Sequence, residues 1–466
     1  MKMWSGRFRQ PLDPGFERWQ RSFEFDQRLL RYELEASRAH ARALKEVGIL
    51  SSGELIAILQ GLEKIGEQAS APAFLEDDEA EDVHHFVEKK LVTLIGDVGY
   101  KLHSGRSRNE QIATDLRLYV RTTIDHLHSD LAEWVGLLLD RAEQAGNAAM
   151  PAYTHLQRAE PVLVSHWLLA YVEMFLRDAD RFSDCRKRVN LCPLGSGAVA
   201  GATLPLDRRA VASDLGFDGP TANSLDATSD RDFALEFVSA LSLLVLHLSR
   251  WAEEMILFSS QEFGFVRLPE AYSTGSSAMP QKKNPDLLEL TRAKAARIIG
   301  DVTVLQVAMK GLPLAYNKDL QETQEPLCDA ADTVMGLLPL VTRWMKAVDF
   351  NYERMQEAAQ SGFMNAWAAA TYLVQRGVPF RLAHAQIGNA VQQCVEKDCE
   401  LQDLSLEDLR RLNPLFNRDF YDCLKLQSVL AIHDVLGGTA PTRVRQAIAA
   451  ARQKIGSMRE DVHAHA

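Results

Sequence analysis

The sequence predicts an all-α protein organised around a bundle of long helices. From Phe233 to Ser260 there is no Gly or Pro, and Phe237, Leu241, Leu244, Leu248, Trp251, Met255 and Phe258 step by fours and threes, the spacing of a bundle seam. Gln111 to Ala145 carries a similar stripe through Ile112, Leu116, Tyr119, Ile124, Leu127, Leu131, Trp134 and Leu138. Few segments alternate with period two, so strands are minor elements.

Taken in order, the chain divides into three mostly helical domains. Residues 1–103 hold shorter helices separated by turns such as Val47-Gly48 and by the acidic run Glu76 to Glu81. Residues 104–360 carry the long bundle helices. Ser107 and Glu110 form a capping box that opens the helix running to Ala145. Leu163 to Arg186 is another long helix, with Trp167, Val172, Phe175 and Phe182 on its apolar side. Asp286 to Lys310 is a fourth, weakened at Gly300 by roughly 1 kcal/mol relative to Ala. Residues 361–466 are punctuated by Gly377, Pro379, Pro414 and Gly437-Gly438 and read as a smaller helical domain. Five or more such helices can bundle within one chain, so the seams suggest association without requiring it.

Composition narrows the function classes. With 52 Lys+Arg against 63 Asp+Glu, the net charge of −11 argues against nonspecific nucleic-acid binding and against anionic membrane surfaces. The start of the chain is charged, and no later stretch reads as a membrane span, so a cytoplasmic location is expected. The six cysteines show neither a C-x-x-C pair nor the density of a disulfide framework, and read as reduced and structural. No paired ligands have zinc spacing; His84-His85 reads as a helix-surface pair, and His463 and His465 as a solvated tail. Gly195 to Gly201 is glycine-rich, but no acidic residue follows at the distance a dinucleotide site needs, so a close-packed loop is expected.

The chemistry concentrates at Gly275-Ser276-Ser277-Ala278-Met279-Pro280-Gln281-Lys282-Lys283-Asn284-Pro285-Asp286, where a polar loop meets a helix start. Asn284 reads as the N-cap, Pro285 as the first helical residue, and Asp286 as a charge complementing the dipole. Hydroxyls, ammonium groups and a helix N-terminus together suit an anion, with a potential base beside it.

This run resembles the signature of the fumarase/aspartase superfamily, whose members break a C–N or C–O bond and release fumarate. Its Gln281-Lys282-Lys283-Asn284-Pro285-Asp286 half is similar to the argininosuccinate lyase/δ-crystallin family. Five further motifs carry the likeness along nearly the whole chain: Trp4-Ser5-Gly6-Arg7-Phe8, Lys101 to Asn109, Tyr153-Thr154-His155-Leu156-Gln157-Arg158, Leu314 to Asp319, and Gly437-Gly438-Thr439-Ala440-Pro441. The resemblance implies a three-part helical fold, a homotetramer whose core is a bundle shared by four subunits, and cofactor-free cleavage of argininosuccinate to arginine and fumarate in arginine biosynthesis. Another N-substituted aspartate as substrate, or a crystallin-like structural role, are the alternatives.

The resemblance also implies roles. Ser276 is the candidate base, assisted by Lys282 and the helix beginning near Asn284, since a free hydroxyl is too weak an acid to ionise alone. Lys282 and Asn284 stabilise the carboxylate that takes up charge. His155 is the candidate acid, and Glu289 the carboxylate that pairs with it and favours the imidazolium. Lys283 reads as solvated. Arg108 and Asn109 contact substrate, Arg108 through a fork suited to both carboxylate oxygens. Thr154, Ser22, Arg231, Tyr316 and Gln321 are further substrate contacts. Three departures stand out: Gln324 where the family carries a substrate-binding Lys, His433 where Arg is common, and Ala368 where Asp is common. Because Arg108 and His155 flank the two ends of one long helix, the expected site is shared between subunits, and the resemblance implies three subunits contributing to each.

Overall fold

A computed structural model describes residues 10–77 and 79–465. The Trp4–Phe8 motif and the His463 and His465 side chains lie outside what is described. The all-α expectation holds. Six long helices dominate, Arg108–Ala145, Val164–Val189, Asp232–Ser259, Asp286–Met309, Gln324–Ala347 and Pro441–His465. Among the described residues the strands form only two-stranded pairs.

The chain forms two compact units, each discontinuous in sequence. One takes the chain up to Leu127, Asp180–Leu243 and Lys294–Met335; the other takes His128–Ala179, Leu244–Ala293 and Gly336 onward. In the first, helices Leu30–Glu46, Ser52–Gln68 and Val83–Ile95 bury Leu34, Leu62, Phe86 and Leu91. Ser51 and Glu54 form a reciprocal capping box at the start of the second of these helices. Gly61 lets this helix and Val83–Ile95 approach closely, since a Cβ there would stand 2.5 Å from Leu91 Cδ1 and displace that side chain.

The second unit is centred on tryptophan. Trp134, Trp251 and Trp344 come from three different long helices, are fully buried, and meet edge to face at 5.1 and 5.2 Å between ring centroids. Helix Asp232–Ser259, for which no membrane-span length was expected, is in fact long and apolar enough by length and composition to cross a membrane. Its apolar side is spent on the core: Phe237, Leu241, Leu244, Leu248, Trp251 and Met255 are all fully buried. The fifth long helix, Gln324–Ala347, contains Pro339, which breaks its sequence signal but not the helix.

Toward the C-terminus, Leu373, Ile387, Leu401, Phe416 and Phe420 make a compact apolar cluster. Ala368 is buried at 4% exposure, a position where the family's Asp would need a buried partner. The glycine-rich loop from Gly195 is close-packed as expected: a Cβ on Gly197 would sit 2.6 Å from the Gly201 carbonyl oxygen.

Candidate active site

The helix that begins at Arg108 is built from its cap outward. Glu110 accepts the Ser107 N–H at 2.9 Å, while Ser107 Oγ takes the Asn109 N–H at 3.3 Å. The cap holds Arg108 and Asn109 at the mouth of a cavity of about 260 Å³. Ser22, Tyr316 and Gln321 line the same cavity, so five predicted substrate contacts from distant parts of the sequence converge. Gln324 and Lys318 line it too. Lys318 is the residue sequence reasoning passed over; it stood inside a quoted motif, two residues after Tyr316. It has no acidic partner within salt-bridge distance among the described residues. The Arg108 fork, by contrast, is engaged: Nη1 meets Asp82 at 2.7 Å and Glu81 at 3.2 Å. Asp82 also caps helix Val83–Ile95 through the His85 N–H, so one carboxylate aligns two motifs.

Other groups around the cavity differ from expectation. Ser22 donates to Asp26 at 2.7 Å, and burial together with Asp82 pushes the Asp26 carboxyl up to about 7. Arg231 does not line the cavity. It is buried, donates to the Asp230 carbonyl at 2.7 Å, and burial depresses its guanidinium to about 10. His84 is no surface residue: its Nε2 lies 3.0 Å from Asp115 and 3.7 Å from Glu33, all three buried. Helix Val83–Ile95 turns His84 inward and leaves His85 half exposed, because neighbouring positions on a helix point about 100° apart. Burial opposes the His84 charge, but the Asp115 hydrogen bond with Glu33 and Asp82 outweighs it and holds His84 up at about 9.

Thr154 and His155 stand on a hairpin, Ala149–Thr154 paired antiparallel with Gln157–Leu163. Thr154 pairs with Gln157, leaving His155 and Leu156 as a two-residue turn with φ of 56° and 58°. Such turns favour Asn-Gly. Two side-chain-bearing residues in the left-handed region cost strain, a feature that gathers at functional sites. The turn leaves His155 exposed. Glu289 is exposed as well, and among the described residues no ion pair joins it to His155.

The Ser276 loop is pinned at its base by the bridge Thr274↔Asn284 and by Asp286, which accepts the Thr274 N–H and hydroxyl. The helix therefore starts one residue later than expected: Asp286 is the first helical residue, the Pro285 carbonyl receives the Glu289 N–H, and Asn284 pairs with Thr274 instead of capping. Lys283 is not merely solvated, since its Nζ donates to the Leu268 carbonyl at 3.1 Å. Lys282 is exposed. Ser276 Oγ accepts two backbone N–H groups, from Ala278 at 3.2 Å and Met279 at 3.1 Å. The assistance in place at the hydroxyl is thus the loop's own backbone, ahead of Lys282 or the following helix.

Residues 6–300 match the lyase family model, and residues 363–431 match the argininosuccinate lyase C-terminal model. The argininosuccinate lyase of Acidobacterium capsulatum is 58% identical over 464 residues, covering 98% of this chain and 96% of that protein. That of Koribacter versatilis is 58% identical over 466 residues and the full length of both. Among solved structures, EDDS lyase in complex with formate superposes with a TM-score of 0.84 at 26% identity, covering 98% of this chain and 93% of that one. The class II fumarase of Schistosoma mansoni shares the fold, with a TM-score of 0.74 at 18% identity over 85% of this chain and 90% of that one. The chain belongs to the argininosuccinate lyase family, enzymes that break a carbon–nitrogen bond.

Proposed function

We propose that this chain cleaves argininosuccinate reversibly to arginine and fumarate, as a step of arginine biosynthesis. Ser276 removes the proton beside a carboxylate, the freed electron pair becomes the fumarate double bond as the C–N bond breaks, and His155 protonates the departing guanidino nitrogen. The observation that carries this is the pair of N–H groups aimed at Ser276 Oγ. Donors preorganised on an oxygen stabilise the charge it acquires. They favour an alkoxide in a way that a solvent-facing serine lacks. Lys318, Asn109, Ser22, Tyr316 and Gln321 receive the substrate's polar groups in this reading, with Lys282 and Asn284 meeting the carboxylate on the loop.

The site is shared in a homotetramer. Two observations support this. Arg108 and Ala145 are the ends of a 38-residue helix, ~57 Å at 1.5 Å per residue. And helix Asp286–Met309 leaves Leu290, Ala293, Gly300, Val304 and Val307 exposed on one side, interrupted only by Arg297, which is paired with Asp329, a mostly apolar stripe suited to a second copy. The three sequential domains, 1–103, 104–360 and 361–466, belong to this reading, as does a cytoplasmic setting; six unbridged cysteines, four of them buried, support the latter.

The test is fumarate release, followed by its ultraviolet absorbance. Ser276→Ala and His155→Ala each lower kcat by roughly 10²–10⁴-fold with the oligomer intact. Unfolded and reassembled together, the two inactive variants regain part of the activity, because some hybrid sites receive both intact groups. Mixed oligomers that form and stay inactive rule out the shared site. Gln324 in the cavity favours a second reading, a different N-substituted aspartate, which a substrate panel separates from the first.

A further inference from the structure

The hairpin that presents His155 has a weak point. Pro151 pairs with Pro161 and Tyr153 with Arg158, so Ala152 alone faces both Ala159 and Glu160. That is a β-bulge, where the backbone ladder is interrupted and the strand is free to bend. Beyond it lies the strained His155-Leu156 turn, which has no glycine to settle its backbone. With the ladder broken, the direction of the tip depends on side-chain contacts: on the inner strand Tyr153 packs against Phe258 and Phe263 at 6.2 and 5.4 Å between ring centroids, and the outer strand is tethered separately.

Those tethers are few. Arg158 donates to Ser361 Oγ at 2.7 Å and to the Ala358 carbonyl at 3.3 Å. Leu163 N–H donates to Thr439 Oγ1 at 2.8 Å, beyond the bulge. At the bulge itself, Glu160 Oε1 lies 3.4 Å from His433 Nε2, both side chains about one quarter exposed at 28% and 26%. His433 is fixed from two sides. The Trp367 ring meets it edge to face at 6.2 Å, and the turn after it folds so tightly that a Cβ on Gly438 would stand 2.1 Å from the His433 carbonyl oxygen.

We propose that His433 is a positioning residue for His155: its ring, held by Trp367, anchors Glu160 at the bulge and so sets the direction of the hairpin tip. An Arg at this position would keep a donor to Glu160. The other titratable groups facing it are few. His166 feels the His433 charge and is itself held low by burial, and neighbouring Asp434 is occupied by Arg443 at 2.7 Å. Burial raises the Glu160 carboxyl, and the His433 charge pulls it back.

This inference rests on the role given to His155 above, so it is tested by two readouts, one of which needs no turnover. The first is the steady-state kinetics of the intact oligomer for wild type, His433→Arg, His433→Ala and the near-isosteric Glu160→Gln. His433→Ala and Glu160→Gln lower kcat by roughly fivefold at most, the ceiling for a partly exposed pair, and leave KM unchanged, while His433→Arg restores kcat toward wild type. The second is amide hydrogen exchange over residues 153–158. There His433→Ala and Glu160→Gln exchange faster than wild type, and His433→Arg does not. Wild-type kcat in both of the first two variants, or exchange equal to wild type in both, overturns the proposal. Absent fumarate release in the wild type would instead defeat the function assigned above, while exchange still decides whether His433 anchors the tip.

Discussion

Ser276 owes its chemical value to what its oxygen accepts. Two N–H donors from Ala278 and Met279 turn a side chain that is ordinarily a poor base into one whose ionised form is already provided for. The cavity at the start of helix Arg108–Ala145 makes the opposite point, because there a charge is spent inside the protein. Arg108 is held by Asp82 and Glu81, so an incoming carboxylate finds its free cation in Lys318. Lys318→Met therefore raises KM for argininosuccinate by about tenfold, the loss of about 1.4 kcal/mol from one charge-assisted hydrogen bond, with kcat little changed. Steady-state kinetics check it, and an unmoved KM would return the carboxylate to Arg108. The motif strings were legible in sequence, and so was the convergence of Ser22, Arg108, Asn109, Tyr316 and Gln321 as a list. What linear order hides is which charges are neutralised locally: nothing in the spacing of Glu81, Asp82 and Arg108 says that they bind one another.

At the scale of elements, the long helices were legible because an uninterrupted stripe at helical spacing has no competing explanation. Two elements were not. Pro339 splits the pattern of helix Gln324–Ala347, and tertiary burial of Leu337, Leu338, Val341 and Trp344 overrides it. The Ala149–Leu163 hairpin lacks the Asn-Gly or Asp-Gly turn that announces such a structure, because His155 and Leu156 take up its left-handed positions instead. One unpartnered helix face yields a prediction. Val304 and Val307 are 47% and 55% exposed on the stripe of helix Asp286–Met309. Val304→Asp with Val307→Asp lowers the mass of the assembly in analytical ultracentrifugation and removes activity with it, since buried like charges on apposed faces are costly. An assembly of unchanged mass would place the subunit contact elsewhere.

For the molecule as a whole, His84 links stability to pH. Its folded pKa, about 9, stands above the ordinary 6.5, so its contribution is fully present below pH 6.5 and disappears as pH rises through 9. The urea midpoint accordingly declines between pH 6.5 and 8, a decline that His84→Gln abolishes while lowering the midpoint at pH 6. A wild-type midpoint flat across that window would mean His84 is neutral in the folded protein. The tryptophans give the molecule a different kind of readout. Trp134, Trp251 and Trp344 touch in series, each nearly perpendicular to the next, and all three lie in one unit. Three indoles held that close share their electronic excitation, so the far-ultraviolet circular dichroism carries an exciton signal superimposed on the helical spectrum. Trp251→Phe, by removing the middle chromophore, uncouples the outer two. The loss of that signal on heating then times the melting of one unit alone, within a chain whose helical signal comes from both.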